Sequence, residues 1–114
     1  MKHEVKKITK IIDEILTFCV YNMDPRRSEM VLEKTDNAFT VVHTFYDVSI
    51  SAEELAEIRR QLGTKRNHEL EDYYWQLTGE IENSSELDLV GMMSDEAVVE
   101  YENEKLIISL IRKL

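Results

Sequence analysis

His3, His43 and His68 are the only histidines, and they fall on a leading segment, a strand-like stretch and a helix start. No His-Glu-x-x-His pattern or Cys/His cluster brings metal ligands together, so a zinc site is not expected. His43 alternates with apolar neighbours and reads as a half-buried histidine with its hydrogen bonds satisfied. Cys19 is the one cysteine, which rules out an intramolecular disulfide. It lies on an apolar helical stripe, where a thiol is inert unless its pKa is depressed. No serine or cysteine sits in a nucleophile elbow, so hydrolase chemistry has no support. Glu69, Glu71 and Asp72, with Glu80 and Glu82, offer carboxylates for acid–base work. At that density they read as a solvated helix face. Tyr73, Tyr74 and Trp75 are more suggestive. Successive helical side chains point about 100° apart, so three adjacent rings cannot all enter one core. At least one is expected to be exposed against its own domain or to anchor a partner.

The elements that must position these groups follow from periodicity. Val5, Ile8, Ile12, Ile15 and Cys19 recur at helical spacing, with Ile11, Leu16 and Val20 widening the stripe, and Asp24-Pro25 ends that helix. Residues 28–34 and 38–46 read as strands joined at Asp36-Asn37. In the second, Phe39, Val41, His43 and Phe45 share one face and Thr40, Val42, Thr44 and Tyr46 the other. Ser51 and Glu54 form a capping box, opening a helix that carries Leu55, Ile58 and Leu62 inward and stops at Gly63. A helix is predicted over 68–78 and a short one from Ser85 to about Met93. Residues 97–101 and 105–111 close the chain as a hairpin turning at Glu102-Asn103-Glu104. Helices interrupting two hairpins imply an α+β two-layer sandwich, with helices on one face of a mainly antiparallel sheet.

The 114 residues suit a single domain over 1–114 with a self-sufficient core. Acidic residues outnumber basic ones 23 to 14, a formal net charge of −9. That field repels nucleic acid backbones and anionic membranes. No run of about 18 apolar residues is present. The leading segment lacks a signal-peptide pattern, and a reducing, cytoplasmic setting is expected.

Three stretches carry a family resemblance. Residues 84–90 read Ser-Ser-Glu-Leu-Asp-Leu-Val, followed by Met92-Met93, Asp95-Glu96 and the hairpin. Residues 13–22 include Glu14 and, four positions on, Phe18. Residues 45–50 read Phe-Tyr-Asp-Val-Ser-Ile ahead of the capped helix. Together with the element order, this resembles the ATP-binding fold of histidine kinases, Hsp90 and gyrase B. Among these the anti-sigma-factor serine kinases are nearest in pattern, and the resemblance covers nearly the whole chain.

That resemblance implies a site that has been overwritten. Glu14 matches the family's acid, but Phe18 stands at the magnesium-ligand asparagine and cannot coordinate a hard cation. Ser84 and Glu86 replace glycines that let the backbone approach the triphosphate. In one alignment Phe45 takes the adenine-binding aspartate's place, with Asp47 and Ser49 at glycines. In the other Asp47 is the aspartate and Ser49 and Ser51 replace the glycines. The expectation is a non-catalytic, kinase-like regulatory or protein-interaction domain, without cofactor or metal, binding a protein partner or itself as a homodimer. The alternative is a divergent ATP-binding anti-sigma-factor serine kinase or other nucleotide-binding regulator using Glu14 and Asp47. A small metabolic enzyme with an unrecognised pocket is a third class.

Overall fold

The computed structural model describes residues 2–74 and 86–114. In chain order the elements are α1 (Lys2–Met23), β1 (Arg27–Lys34), β2 (Ala38–Tyr46), α2 (Ala52–Leu62), α3 (His68–Tyr74), α4 (Glu86–Met92), β3 (Glu96–Glu102) and β4 (Lys105–Lys113). The four strands form one fully antiparallel sheet in the order β1-β2-β4-β3. The architecture is α+β, as the element pattern predicts. The helix predicted to reach residue 78 is seen to Tyr74, and its remaining positions lie outside the described residues.

Alternation along β2 and β4 builds the core. Phe39, Val41, His43 and Phe45 face Arg112, Leu110, Ile108 and Leu106 across the ladder, and all eight are buried. Val99 on β3 joins them. Ile8, Ile11, Ile15 and Cys19 of α1, Ile58 and Leu62 of α2, and Leu87, Val90 and Met93 around α4 cover this face. Each fully buried aliphatic or aromatic chain contributes about 1.5–3 kcal/mol by leaving water.

Local signals set the boundaries. Ser51 caps α2 by accepting from Glu54 N–H at 3.0 Å, while Glu54 accepts from Ser51 N–H at 3.2 Å. The β3–β4 turn narrows to Asn103 and Glu104, both left-handed at φ 53° and 60°. Gly91 lets α4 lie against the end of α2. A Cβ there would fall 2.6 Å from the Gln61 carbonyl oxygen, closer than such contacts occur.

Candidate functional site

Among the described residues, the positions singled out by resemblance lie in different settings. Glu14 is buried on α1, 3.5 Å from Lys10. Phe18, one turn on, is half-buried where α1 meets α2. There it borders a cleft of about 160 Å³, with Glu54 and Glu57 on the facing wall. Phe45 is wholly buried against the His43 ring, centroids 5.2 Å apart. Asp47 and Ser49 are exposed. Asp47 takes a left-handed backbone, φ 60°, as the chain leaves β2. The loop is pinned there, because Val48 N–H donates to the Glu104 carbonyl and the Val48 carbonyl accepts from the Tyr101 hydroxyl. Ser84 lies outside the described residues, and Glu86 opens α4. Of the aromatic cluster, Tyr73 is exposed. The side chain of Tyr74 and all of Trp75 fall outside what is described.

The densest set of ionisable groups lies at the other end of the core, and sequence reasoning placed its centre wrongly. Glu71 was expected on a solvated face, yet it is buried. Arg112, at the inward-facing end of β4, is fully buried and meets Glu71 in a two-pronged pair, Nη1 to Oε1 at 2.8 Å and Nη2 to Oε2 at 2.7 Å. Arg112 also donates to Glu4 of α1 through Nε at 2.9 Å and to the Met93 carbonyl at 2.7 Å. Lys7 adds a 2.8 Å bond to Glu71 Oε2, and Arg66 a 3.1 Å bond to Oε1. Arg66 continues to Asp95 at 2.7 Å. Each Glu71 oxygen thus accepts two donors, filling the roughly four lone-pair sites of a carboxylate.

This cluster is a clasp, and its electrostatics explain why it is not a reaction centre. Burial alone pushes the Glu71 carboxyl up, but the bonds from Arg112 and Lys7 and the nearby cations outweigh it and hold it down at about 2. Burial opposes the charge on Arg112 as well, and Glu71 and Glu4 more than offset that. With every oxygen committed and the acid fixed in its ionised form, Glu71 has no lone pair or proton to lend a substrate. Among the described residues no group of three or more His, Cys, Asp or Glu side chains is placed to hold a metal ion.

Two isolated groups complete the inventory. His43 is fully buried rather than half-buried, and its Nδ1 has no hydrogen-bond partner among the described residues. Burial drives its pKa down, so it sits in the core as neutral imidazole. Burial pushes the Cys19 thiol up to about 12, which leaves it unreactive, as its place on the inward stripe implies.

The surface carries the remaining signal. On the sheet face turned away from the helices, Val31, Val42, Ser109 and Val98 form one cross-strand row. Ile107 and Ile111 of β4 flank it on the same face. Val31 and Val98 are 53% and 52% exposed. Charges ring this apolar centre: Glu29 and Glu33 on β1, Glu96, Glu100 and Glu102 on β3, and Lys105 and Lys113 at the ends of β4. No helix among the described residues is long and apolar enough to cross a membrane. The chain matches no protein-family model, and no curated protein matches it.

Proposed function

We propose that this chain is a non-catalytic protein-interaction and regulatory domain, a histidine kinase-like ATPase framework kept without its nucleotide, acting in the cytoplasm as a homodimer. The observation that carries this reading is the apolar centre and charged rim of the sheet face that no helix covers among the described residues. An apolar patch rimmed by polar groups is the usual anatomy of a binding surface. The loss of the nucleotide is supported by chemistry at Phe18. Where the related kinases hold magnesium, this chain has a phenyl ring beside a cleft walled by Glu54 and Glu57. Those carboxylates and a net charge of −9 oppose a triphosphate with nothing to compensate it. Calorimetric titration with ATP and Mg²⁺ tests the reading, and binding weaker than about 100 μM is expected. Tighter binding that weakens on Asp47→Ala would overturn it in favour of a nucleotide-binding regulator using Glu14 and Asp47.

A further inference from the structure

We infer that the homodimer forms through β1, pairing antiparallel with β1 of a second copy about a two-fold axis at Met30, so that two four-stranded sheets become one. The inference rests on the homodimer reading above and adds the surface and the register.

The first observation is an edge that no other element covers among the described residues. There β1 pairs only with β2, and all eight of its residues are exposed. Thr35 N–H donates to the Ala38 carbonyl at 2.9 Å across the hairpin turn, which sets the alternation of the ladder. Odd-numbered β1 residues bond to β2, while Ser28, Met30, Leu32 and Lys34 turn their N–H and C=O groups outward. Unsatisfied edges of this kind are what natural sheets normally blunt.

The second observation is what flanks the edge. Met30, Val31 and Leu32 are consecutive and each more than 40% exposed. Met30 and Leu32 lie on the helix side of the sheet and Val31 on the other. On α1, the flank carrying Val5, Ile12, Leu16 and Val20 is turned away from the side that meets α2. Because α2 packs over β3 at the far edge, that flank looks toward β1. Val5, Leu16 and Val20 are exposed there at 46%, 37% and 47%. The open edge therefore has apolar surface above and below it.

Charge selects the occupant and the register. Outward-pointing residues must meet outward-pointing residues of the partner, which permits only even-numbered pairs in hydrogen-bonded positions. Placing Met30 opposite the partner's Met30 sets Ser28 opposite the partner's Leu32. It also brings Arg27 against the partner's Glu33 twice, once on each side of the axis. A shift that puts Val31 opposite the partner's Val31 instead opposes Glu29 to the partner's Glu33 twice, and like charges directly opposite destabilise. A shift the other way opposes Glu29 to the partner's Glu29. The Met30 register is thus the one with extensive overlap and complementary charge. Its like-charge pair, Arg26 with the partner's Lys34, also occurs twice but falls beyond the strand's first residue. The chain's net charge works against association, but at physiological salt it is screened over about 8 Å.

Sedimentation equilibrium of the full chain at physiological salt decides it. The wild type should show twice the 13.4 kDa chain mass at micromolar concentration. Met30→Lys puts two cations face to face at the axis and should raise the dissociation constant at least about tenfold. Arg27→Glu should weaken the dimer similarly, and Arg27→Glu combined with Glu33→Arg should restore it, since the swap recreates the pair. If Met30→Lys does not fold, Met30→Cys replaces it: paired residues about 5.5 Å apart at Cα are within disulfide range, and oxidation should give a covalent dimer while Cys19 stays buried. A monomer at every concentration overturns both the surface and the homodimer reading. A dimer indifferent to Met30→Lys, or a Met30→Cys chain that does not cross-link, overturns the β1 surface and leaves the homodimer reading standing. A double variant that fails to recover overturns the register.

Discussion

The two edges of the sheet are finished in opposite ways. At β3, Arg59 of α2 reaches over and donates through Nε and Nη2 to the Val99 carbonyl, at 3.2 and 2.9 Å. The residues at that strand's rim, Glu96, Glu100 and Glu102, are charged. Just inside that edge Arg112 ties Glu71 of α3 and the Met93 carbonyl to β4, and the Gly91 crossing sets α4 against α2. At β1 no helix leans over the edge among the described residues; both edge strands carry charges, but β1 has larger apolar side chains at its middle, Met30, Val31 and Leu32, each more than 40% exposed. Edges are a hazard that proteins usually blunt with charge or cover. On the proposed dimer reading, the edge that no helix covers among the described residues is the one that binds. Stability should therefore be concentrated on the β3 side, and tolerance to substitution on the β1 side.

The strongest way to break this contrast is to attack the clasp. Glu71→Ala removes the two-pronged partner of a fully buried guanidinium, and such a loss costs about 3–5 kcal/mol, toward the lower figure here because Arg112 keeps Glu4 and the Met93 carbonyl. Against a typical domain stability of about 5–15 kcal/mol, urea unfolding should show the variant near its limit. A loss under about 1 kcal/mol would mean that the clasp is solvated and the β3 side is not specially secured.

Gly91→Ala comes next. Its Cβ would meet the Gln61 carbonyl oxygen at 2.6 Å and the Leu62 carbonyl at 3.2 Å. Overpacking of this kind costs about 1–3 kcal/mol, and better helix propensity returns at most about 1 kcal/mol. A net loss of about 1–2 kcal/mol is expected in denaturant melts. A stabilised variant would show that α4 can move off α2 freely.

A pH series separates the two sides by their titrating groups. His43, between Met30 and Ile108 in the sheet, has a lowered pKa in the fold. Its contribution is complete above about 6.5. It is lost as pH falls below that, because the unfolded chain takes up a proton that the folded chain resists, by at most about 1.4 kcal/mol per pH unit. Glu71, held at about 2, contributes above about 4.5 and loses that contribution as pH falls from there toward 2. His43→Leu should flatten the limb just below pH 6.5 and leave the one below pH 4.5 in place. Retention of the upper limb would locate its proton elsewhere.

The smallest effect sharpens the contrast at matched chemistry. Val31→Thr on the open strand should change stability by less than about 0.5 kcal/mol, measured at a concentration below dimerisation. Val99→Thr on the guarded strand buries a hydroxyl and should cost about 1–3 kcal/mol. Equal losses would erase the difference between the edges.

Much of the local structure was legible, for reasons that stay within a few residues. Ser51 and Glu54 announce α2 because a capping box is a contact at a separation of three. The inward set on β2 was readable because side chains alternate with a period of two. Sheet order and distant pairing were not legible. Nothing in residues 27–34 says that the strand lies at an edge, since that depends on β4 inserting beside β2. Arg112 follows Leu106, Ile108 and Leu110 in strict alternation, so the pattern places a charge inside and demands a carboxylate. That signal was available beyond the point where the strand was expected to end. Which carboxylate answers it was not, because Glu71 is 41 residues away and looks like any other acid on a polar helix.

The position of β4 also decides when this protein can fold. It lies between β2 and β3, so until its residues leave the ribosome the sheet exists only as a β1–β2 hairpin and a β3 segment with nothing to pair with. The contact from Glu4 to Arg112 spans 108 residues, so the first turns of α1 wait for β4 before their charges are answered. Chains emerge at about 5–20 residues per second, which leaves the apolar stripe of α1 uncovered for several seconds of synthesis. Any ribosome-bound fragment ending before Lys105 should behave as an unfolded chain, open to protease and chaperone, and native structure should arrive in one late step rather than by accretion from the N-terminal side.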